Sequence, residues 1–214
     1  MYKSVIKHHG PLNQRYLRRF EETIKRSLRE HPRTSAFRCD LRFPSEARNP
    51  CLDMPTYFID TDPAVITRFF ASLDAKVEAV LNRRRKIGKR THACTIRNIW
   101  VKEYSERHQE HYHVLLLLNK DVYHALGDYS YDPSNSDLAA MIRAAWCSAL
   151  RADPERFWTL AHFPESPTYY LDRNAHPDKL SQAWDALFYR VSYFAKADTK
   201  QYGNGSRSFG CSQK

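Results

Sequence analysis

The stretch His111-Tyr112-His113-Val114-Leu115-Leu116-Leu117-Leu118 decides the fold. It has the length and apolar content of a strand, and successive strand side chains point to opposite faces, so His111 and His113 share a face. The five residues after them are apolar on both faces, the pattern of a central strand covered on both sides. Two imidazoles at the mouth of a buried strand offer two nitrogen ligands to one divalent ion. A hydrogen-bonded pair of solvent-facing histidines has the same spacing, so the decision between them rests on the rest of the chain.

Working outward, Cys94 to Tyr104 reads as a strand. The polar residues 105–110 turn it back into the histidine strand as an antiparallel hairpin. Ala36 to Phe43 alternates as a first strand and stops at Pro44. Residues 12–30 form an amphipathic helix with Leu12, Tyr16, Leu17, Phe20, Ile24 and Leu28 on one face and a basic opposite face. Residues 45–61 read as a loop, and Asp62-Pro63 starts a second helix, with Asp62 as N-cap. Its stripe is Val65, Ile66, Phe69, Phe70, Leu73, Val77, Val80 and Leu81. Further on, the pattern predicts a short helix over Asp121–Leu126 ended by Gly127, a helix over 136–151, strands over Phe157–Phe163 and Thr168–Leu171, and a helix from Asp178 to about Lys196. The tail from Gly203 is ordered only if something holds it.

This order is β-α-β-β-α-β with an extra helix at each end. It predicts an α+β fold: a single ferredoxin-like (split βαβ) antiparallel sheet with helices on one face and a C-terminal helix that carries tyrosines. No repeat or long linker appears, so one domain over 1–214 is expected, with the core at about 36–200.

The 214 residues contain 34 Lys and Arg against 24 Asp and Glu, a net charge of +10, which favours a polyanionic partner, nucleic acid first. The densest cations, Arg83, Arg84, Arg85, Lys86, Lys89 and Arg90, close the second helix. They suit a phosphate-contacting patch, although cations also favour a helix C-terminus in any protein. No apolar run approaches the ~20 residues of a membrane helix, and the N-terminus lacks a signal-peptide core, so no membrane association is expected. The five cysteines, at 39, 51, 94, 147 and 211, are odd in number and unpaired in spacing. They argue against a disulfide framework and for a reducing, cytoplasmic location in a bacterial cell.

On the last helix Trp184, Leu187, Phe188, Val191 and Ala195 form the core stripe. Tyr189, Tyr193, Lys196 and Lys200 share a different face. Tyrosines outside the apolar stripe are either surface residues or nucleophiles. A phenol of pKa about 10 needs help to attack at neutral pH, and a lysine one turn away would stabilise the phenolate and the phosphate it attacks. A histidine-bound metal, a tyrosine with a lysine and a basic surface together suggest metal-assisted attack on a DNA phosphodiester.

Here the sequence resembles a known superfamily. "HYHVLLLL" (111–118) resembles the His-hydrophobic-His motif of HUH endonucleases, and "YFAKADTK" (193–200) resembles the Tyr-x-x-Lys-Tyr-x-x-Lys motif of phage initiators within it. More closely, "FRCDLRFP" (37–44), "WVKEY" (100–104), "HYHVLLLLNKD" (111–121) and "YFAKADTKQYGNGSRSFGCS" (193–212) resemble inovirus gene-two-like replication initiators and their prophage relatives in enteric bacteria. The resemblance implies a rolling-circle nickase that uses Mg²⁺ or Mn²⁺ and forms a 5′-phosphotyrosine link through Tyr193, assisted by Lys196. It implies origin DNA as the partner, with host helicase and polymerase as candidates for further ones. Lys200 joins Arg83–Arg90 as an expected DNA contact. Where the two-tyrosine initiators carry a second nucleophile this chain has Ala197, which leaves Tyr189 as an open alternative. The superfamily adds a third metal ligand. Glu103, on the strand paired with the histidines, is the first choice, with Glu110, Asp40 and His92 open, because a one-residue slip of the hairpin would turn Glu103 away. The rival from another class is a non-catalytic DNA- or RNA-binding or regulatory protein derived from such an initiator.

Overall fold

Asn13 opens the first helix, α1 (Gln14–Glu30). Its side chain accepts from the Arg15 and Tyr16 amides at 3.0 and 3.2 Å, satisfying donors that no helical carbonyl reaches. The structure, a computed structural model, describes residues 5–6, 10–44, 59–105, 109–132, 134–197 and 207–213. Its remaining elements are β1 (Arg33–Arg42), α2 (Val65–Lys86), β2 (Arg97–Tyr104), β3 (Glu110–Asn119), α3 (Leu138–Leu150), α4 (Pro154–Phe157), β4 (Ala161–His162), β5 (Thr168–Asp172), α5 (Pro177–Ser192) and β6 (Phe209–Cys211). The fold is α+β. The strands form an antiparallel sheet in the order β4-β1-β3-β2-β6, with β5 also paired to β1. The run β1-α2-β2-β3-α3-β4 in sheet order 4-1-3-2 is the split βαβ arrangement. No described helix is long and apolar enough to cross a membrane.

The chain forms two compact units. The first takes in residues 1–40, 91–126 and 163–214. Here α1 and α5 cover one face of the sheet, and the period-2 pattern decides which side chains meet them. Ala36, Ile99, Val101, Leu115, Leu117 and Leu171 join Leu17, Phe20, Ile24, Leu28, Leu187, Phe188 and Val191 in one core. Each of the larger side chains removed from water, Ala36 apart, stabilises the fold by roughly 1.5–3 kcal/mol. Val114, Leu116 and Leu118, which point the other way along β3, are buried as well.

The second unit takes in residues 41–90 and 127–162. Within it α2 buries Val65, Ile66, Phe69, Leu73, Val77, Val80 and Leu81, and α3 is apolar nearly all round. Trp146 packs edge-on to Phe69 and donates to the Arg42 carbonyl at 2.8 Å. At the end of α2, Gly88 takes φ +73°; its amide bonds to Arg85 O and the Lys89 amide to Arg84 O, each at 3.0 Å. That pair of bonds is a Schellman closure, which needs a residue free to adopt positive φ.

Several expectations are corrected. Asp62 is not the N-cap of α2, because its carboxylate holds the Ala64 amide at 2.6 Å and the Arg68 guanidinium, so the helix starts after Ala64. Asp121–Leu126 is a set of turns: Asn119 O takes both the Val122 and Tyr123 amides, and so short a segment cannot offset the cost of helix nucleation. Phe157–Phe163 holds only the two-residue β4, because Asp153 caps Pro154 and starts a helical turn that runs on as a 3₁₀ turn to Leu160. The last helix ends at Ser192, and Tyr193–Ala195 is a 3₁₀ turn. The chain there is claimed by the N-terminal segment, with the Asn13 amide on Ala195 O at 2.8 Å and the Ala197 amide on Pro11 O at 3.2 Å. The described part of the tail, 207–213, is held: β6 pairs with β2, Phe209 stacks on Tyr16 at 4.3 Å, and Arg19 and Arg26 of α1 bond to Gln213.

Candidate metal and tyrosine site

The hairpin register settles the facing of the candidate ligands. Glu103 pairs with His111 and Val101 with His113, so Glu103, His111 and His113 project from one face, in line with Ile99, Leu115 and Leu117 of the core. Their ligand atoms lie within 4.8 Å of one another. Nε2 of His111 is 3.3 Å from Nε2 of His113, and Nε2 of His113 is 3.6 Å from Glu103 Oε2. Two ligands ~2.1 Å from one ion at a right angle stand roughly 3 Å apart, so this set fits a divalent ion with little movement. Mixed nitrogen and oxygen donors suit Mn²⁺ at least as well as Mg²⁺.

Asp40 plays a different part from a ligand. Its Oδ1 lies 2.6 Å from His113 Nδ1, so that nitrogen carries a proton and Nε2, the atom facing Glu103 and His111, is the one left to ligate when the ring is neutral. Glu110 faces the other way and binds Lys102 and the Tyr104 hydroxyl. His92 is exposed and outside the cluster. Among the described residues the third candidate donor of the cluster is Glu103, which is 2% exposed.

The two histidines titrate in opposite directions. Burial, then the neighbouring His113, push His111 below the ordinary imidazole value, which favours the neutral, ligating form. Burial also acts against a charged His113, but the bonds to Asp40 and Glu103 outweigh it and raise its pKa.

The 3₁₀ turn after α5 brings the tyrosine to this cluster. The Tyr193 ring stands edge-on to the His113 ring at 5.7 Å, and Phe194 stacks on that imidazole at 5.6 Å. Lys196 does not reach Tyr193 through helical spacing, as its backbone is already extended. Its Nζ nevertheless lies 3.7 Å from the Tyr193 ring centroid and 3.7 Å from Glu103 Oε2. One ammonium thus touches both the tyrosine and the ligand set.

Other predicted residues lie elsewhere. Tyr189 is exposed on α5, one turn before Tyr193, and is not among the residues gathered at the cluster. Arg83, Arg84, Arg85 and Lys86 form the last turn of α2 and Lys89 and Arg90 follow it, in the second unit. Arg85 is engaged by Glu78 and Asn82. Lys200 lies outside the described residues. Sequence reasoning did not single out Arg38, buried on the same face of β1 as Asp40. The signal was present: charges at 38 and 40 alternate with Phe37, Cys39 and Leu41 in a strand buried along its length.

The chain belongs to the YagK/YfjJ C-terminal domain family, which it matches over residues 1–212. It is 40% identical over 205 residues to the uncharacterized protein YagK of Escherichia coli (strain K12), covering 96% of this chain and 95% of that protein. It is 35% identical over 200 residues to the uncharacterized protein YfjJ of the same strain, covering 92% and 93%. No solved structure matches the chain.

Proposed function

We propose that this protein is a DNA nickase and strand transferase of the HUH type, which initiates rolling-circle replication in the bacterial cytoplasm. The observation that supports this most is Lys196, whose ammonium lies 3.7 Å from both the Tyr193 ring and the Glu103 carboxylate of the ligand set. A binding module gains nothing from joining a donor set to a tyrosine in this way.

His111, His113 and Glu103 would hold Mg²⁺ or Mn²⁺, and such an ion would polarise the scissile phosphate and offset the charge developing on it. Asp40 keeps His113 in the ligating tautomer. Lys196, held against the Tyr193 ring, would offset the negative charge gathering on the phosphate that the tyrosine attacks. The Tyr193 oxygen then attacks phosphorus; the tyrosyl O–P bond forms as the P–O3′ bond breaks. The phenolic proton passes to solvent and a proton joins the departing 3′-oxygen, so the exchange is neutral overall and leaves a 5′-phosphotyrosine and a free 3′-hydroxyl. Tyr189, exposed one turn away, is the candidate for the second transfer that closes a replication round.

The test is a denaturing gel with end-labelled single-stranded origin DNA and Mn²⁺. Wild type and Tyr189→Phe should give a protein-linked band, and Tyr193→Phe should give none while keeping its fold. A band that persists in Tyr193→Phe, or that never forms with wild type, removes the proposal.

A further inference from the structure

Arg38 is a buried cation that the reaction above does not use. It stands on β1 two residues before Asp40 and is 7% exposed. Its guanidinium carbon lies 5.7 Å from the Tyr193 ring centroid and 5.6 Å from that of Phe194, so the two rings bound it. Its ion pair with Asp40 is loose: Nη2 is 3.6 Å from Oδ1, the same oxygen that His113 Nδ1 holds at 2.6 Å. A charge-assisted N–H···O bond is about 2.7–2.9 Å long, so Asp40 is committed to the histidine and only lies near the arginine. The Nε of Arg38 is buried and has no hydrogen-bond partner among the described residues.

Burying a guanidinium with a donor unmet costs free energy that rings alone do not restore. A planar fork of N–H donors held beside a nucleophile and a ligand set is the arrangement that recognises a phosphate.

We infer that Arg38 anchors a phosphodiester subsite, where its guanidinium holds the scissile phosphate against Tyr193 and the ligand set. This rests on the nickase proposal for the identity of the phosphate but not for its binding. Arg38 would be a catalytic residue in the sense of touching the reacting group, strengthening its hold as charge gathers on the phosphoryl oxygens.

The experiment has two arms. In the first, thermal unfolding of metal-free wild type, Arg38→Lys and Arg38→Gln is followed in phosphate and in chloride at equal ionic strength. Phosphate should raise the wild-type midpoint above that in chloride. The rise should vanish in Arg38→Gln and shrink in Arg38→Lys, whose ammonium keeps the charge but loses the fork. Should a variant fail to fold, the wild type alone decides: its Arg38 Nε–H resonance should move on adding phosphate. In the second arm, single-turnover cleavage by folded Arg38→Gln should be about 10²-fold slower than wild type. An unmoved Nε–H signal, or an undiminished phosphate effect in Arg38→Gln, overturns the subsite, as does cleavage by that variant at wild-type rate. If phosphate binding depends on Arg38 but wild type never forms the tyrosyl adduct, the subsite stands and the nickase proposal falls.

Discussion

At the scale of single residues, Asp40 gives the sharpest prediction about the donor set. Its oxygen 2.6 Å from His113 Nδ1 fixes which nitrogen of that ring faces the other donors. Asp40→Asn keeps the shape, but its amide can present a donor where the ring needs an acceptor. Mn²⁺ affinity, measured by calorimetry, should fall about 10–100-fold, the usual cost of losing a partner that orients a ligand. An unchanged affinity would mean that His113 is positioned by packing against Phe194 alone. This also marks how far the site was legible in the sequence. The two-residue spacing of His111 and His113 fixes their common face, because the strand period is 2 whatever the surroundings. Glu103 could be proposed but not fixed, since its facing depends on hairpin register. Asp40 was only one of several alternatives and Arg38 went unnoticed. The local alternation marks both as charges in a buried strand, but their partners His113 and Tyr193 are remote in the chain and no local pattern names them.

At the scale of elements, what could be read was what is decided locally. The apolar stripes of α1 and α2 and the β2–β3 hairpin follow from periodicity, and the structure has them within a few residues. Asp121–Leu126 failed because the Asn119 carbonyl closes a turn on a segment too short to nucleate a helix, and Phe157–Phe163 because the Asp153 cap starts a helical turn there. The end of α5 failed because residues 11–13 capture the backbone at 195–197. Strand β6 was invisible for the same kind of reason. It exists because Gly210 lies opposite Trp100, where an added Cβ would stand 2.5 Å from the indole. Gly210→Ala should therefore loosen β6 from β2. Urea titration should show a loss of about 1–3 kcal/mol, and hydrogen exchange should speed up at Ser212, whose amide bonds to Asn98 O at 3.0 Å. Unchanged protection there would show that the strand tolerates the methyl group. His31, at the junction of α1 and β1, ties the elements to pH. Its buried ring accepts the Thr95 amide at Nε2, 3.2 Å away. Burial holds its pKa below the ordinary value of 6.5 despite the nearby Glu30. The folded state then binds fewer protons than the unfolded chain just below pH 6.5, so this contribution is intact above 6.5 and is lost as pH falls through the lowered pKa. His31→Gln should flatten the slope of stability against pH in that window, and an identical slope in the two proteins would refute the assignment.

At the scale of the whole molecule, the governing quantity is the excess of cations. Ion pairs such as Arg97–Glu30, Arg68–Asp62 and Lys102–Glu110 remove one charge of each sign, so they leave the net +10 untouched. That excess must be balanced by counterions or by a polyanion, and a bound nucleic acid releases the counterions it displaces. The affinity for single-stranded DNA should then fall as salt rises, with a log–log slope of about −0.7 for each phosphate neutralised. Arg83, Arg84 and Lys86 are the natural contributors, because Arg85 in the same turn is already held by Glu78 and Asn82. Replacing those three by Gln should make the slope shallower by about 2 units if each contacts one phosphate. The same change costs α2 only the favourable interaction of cations with its C-terminal dipole, roughly 0.3–1 kcal/mol apiece, and the Gly88 closure remains to end the helix. A folded triple variant whose slope equals that of wild type would show that the patch serves the helix end and that the polyanion binds elsewhere. A wild type whose affinity does not respond to salt at all would show that the positive excess has no part in recognition.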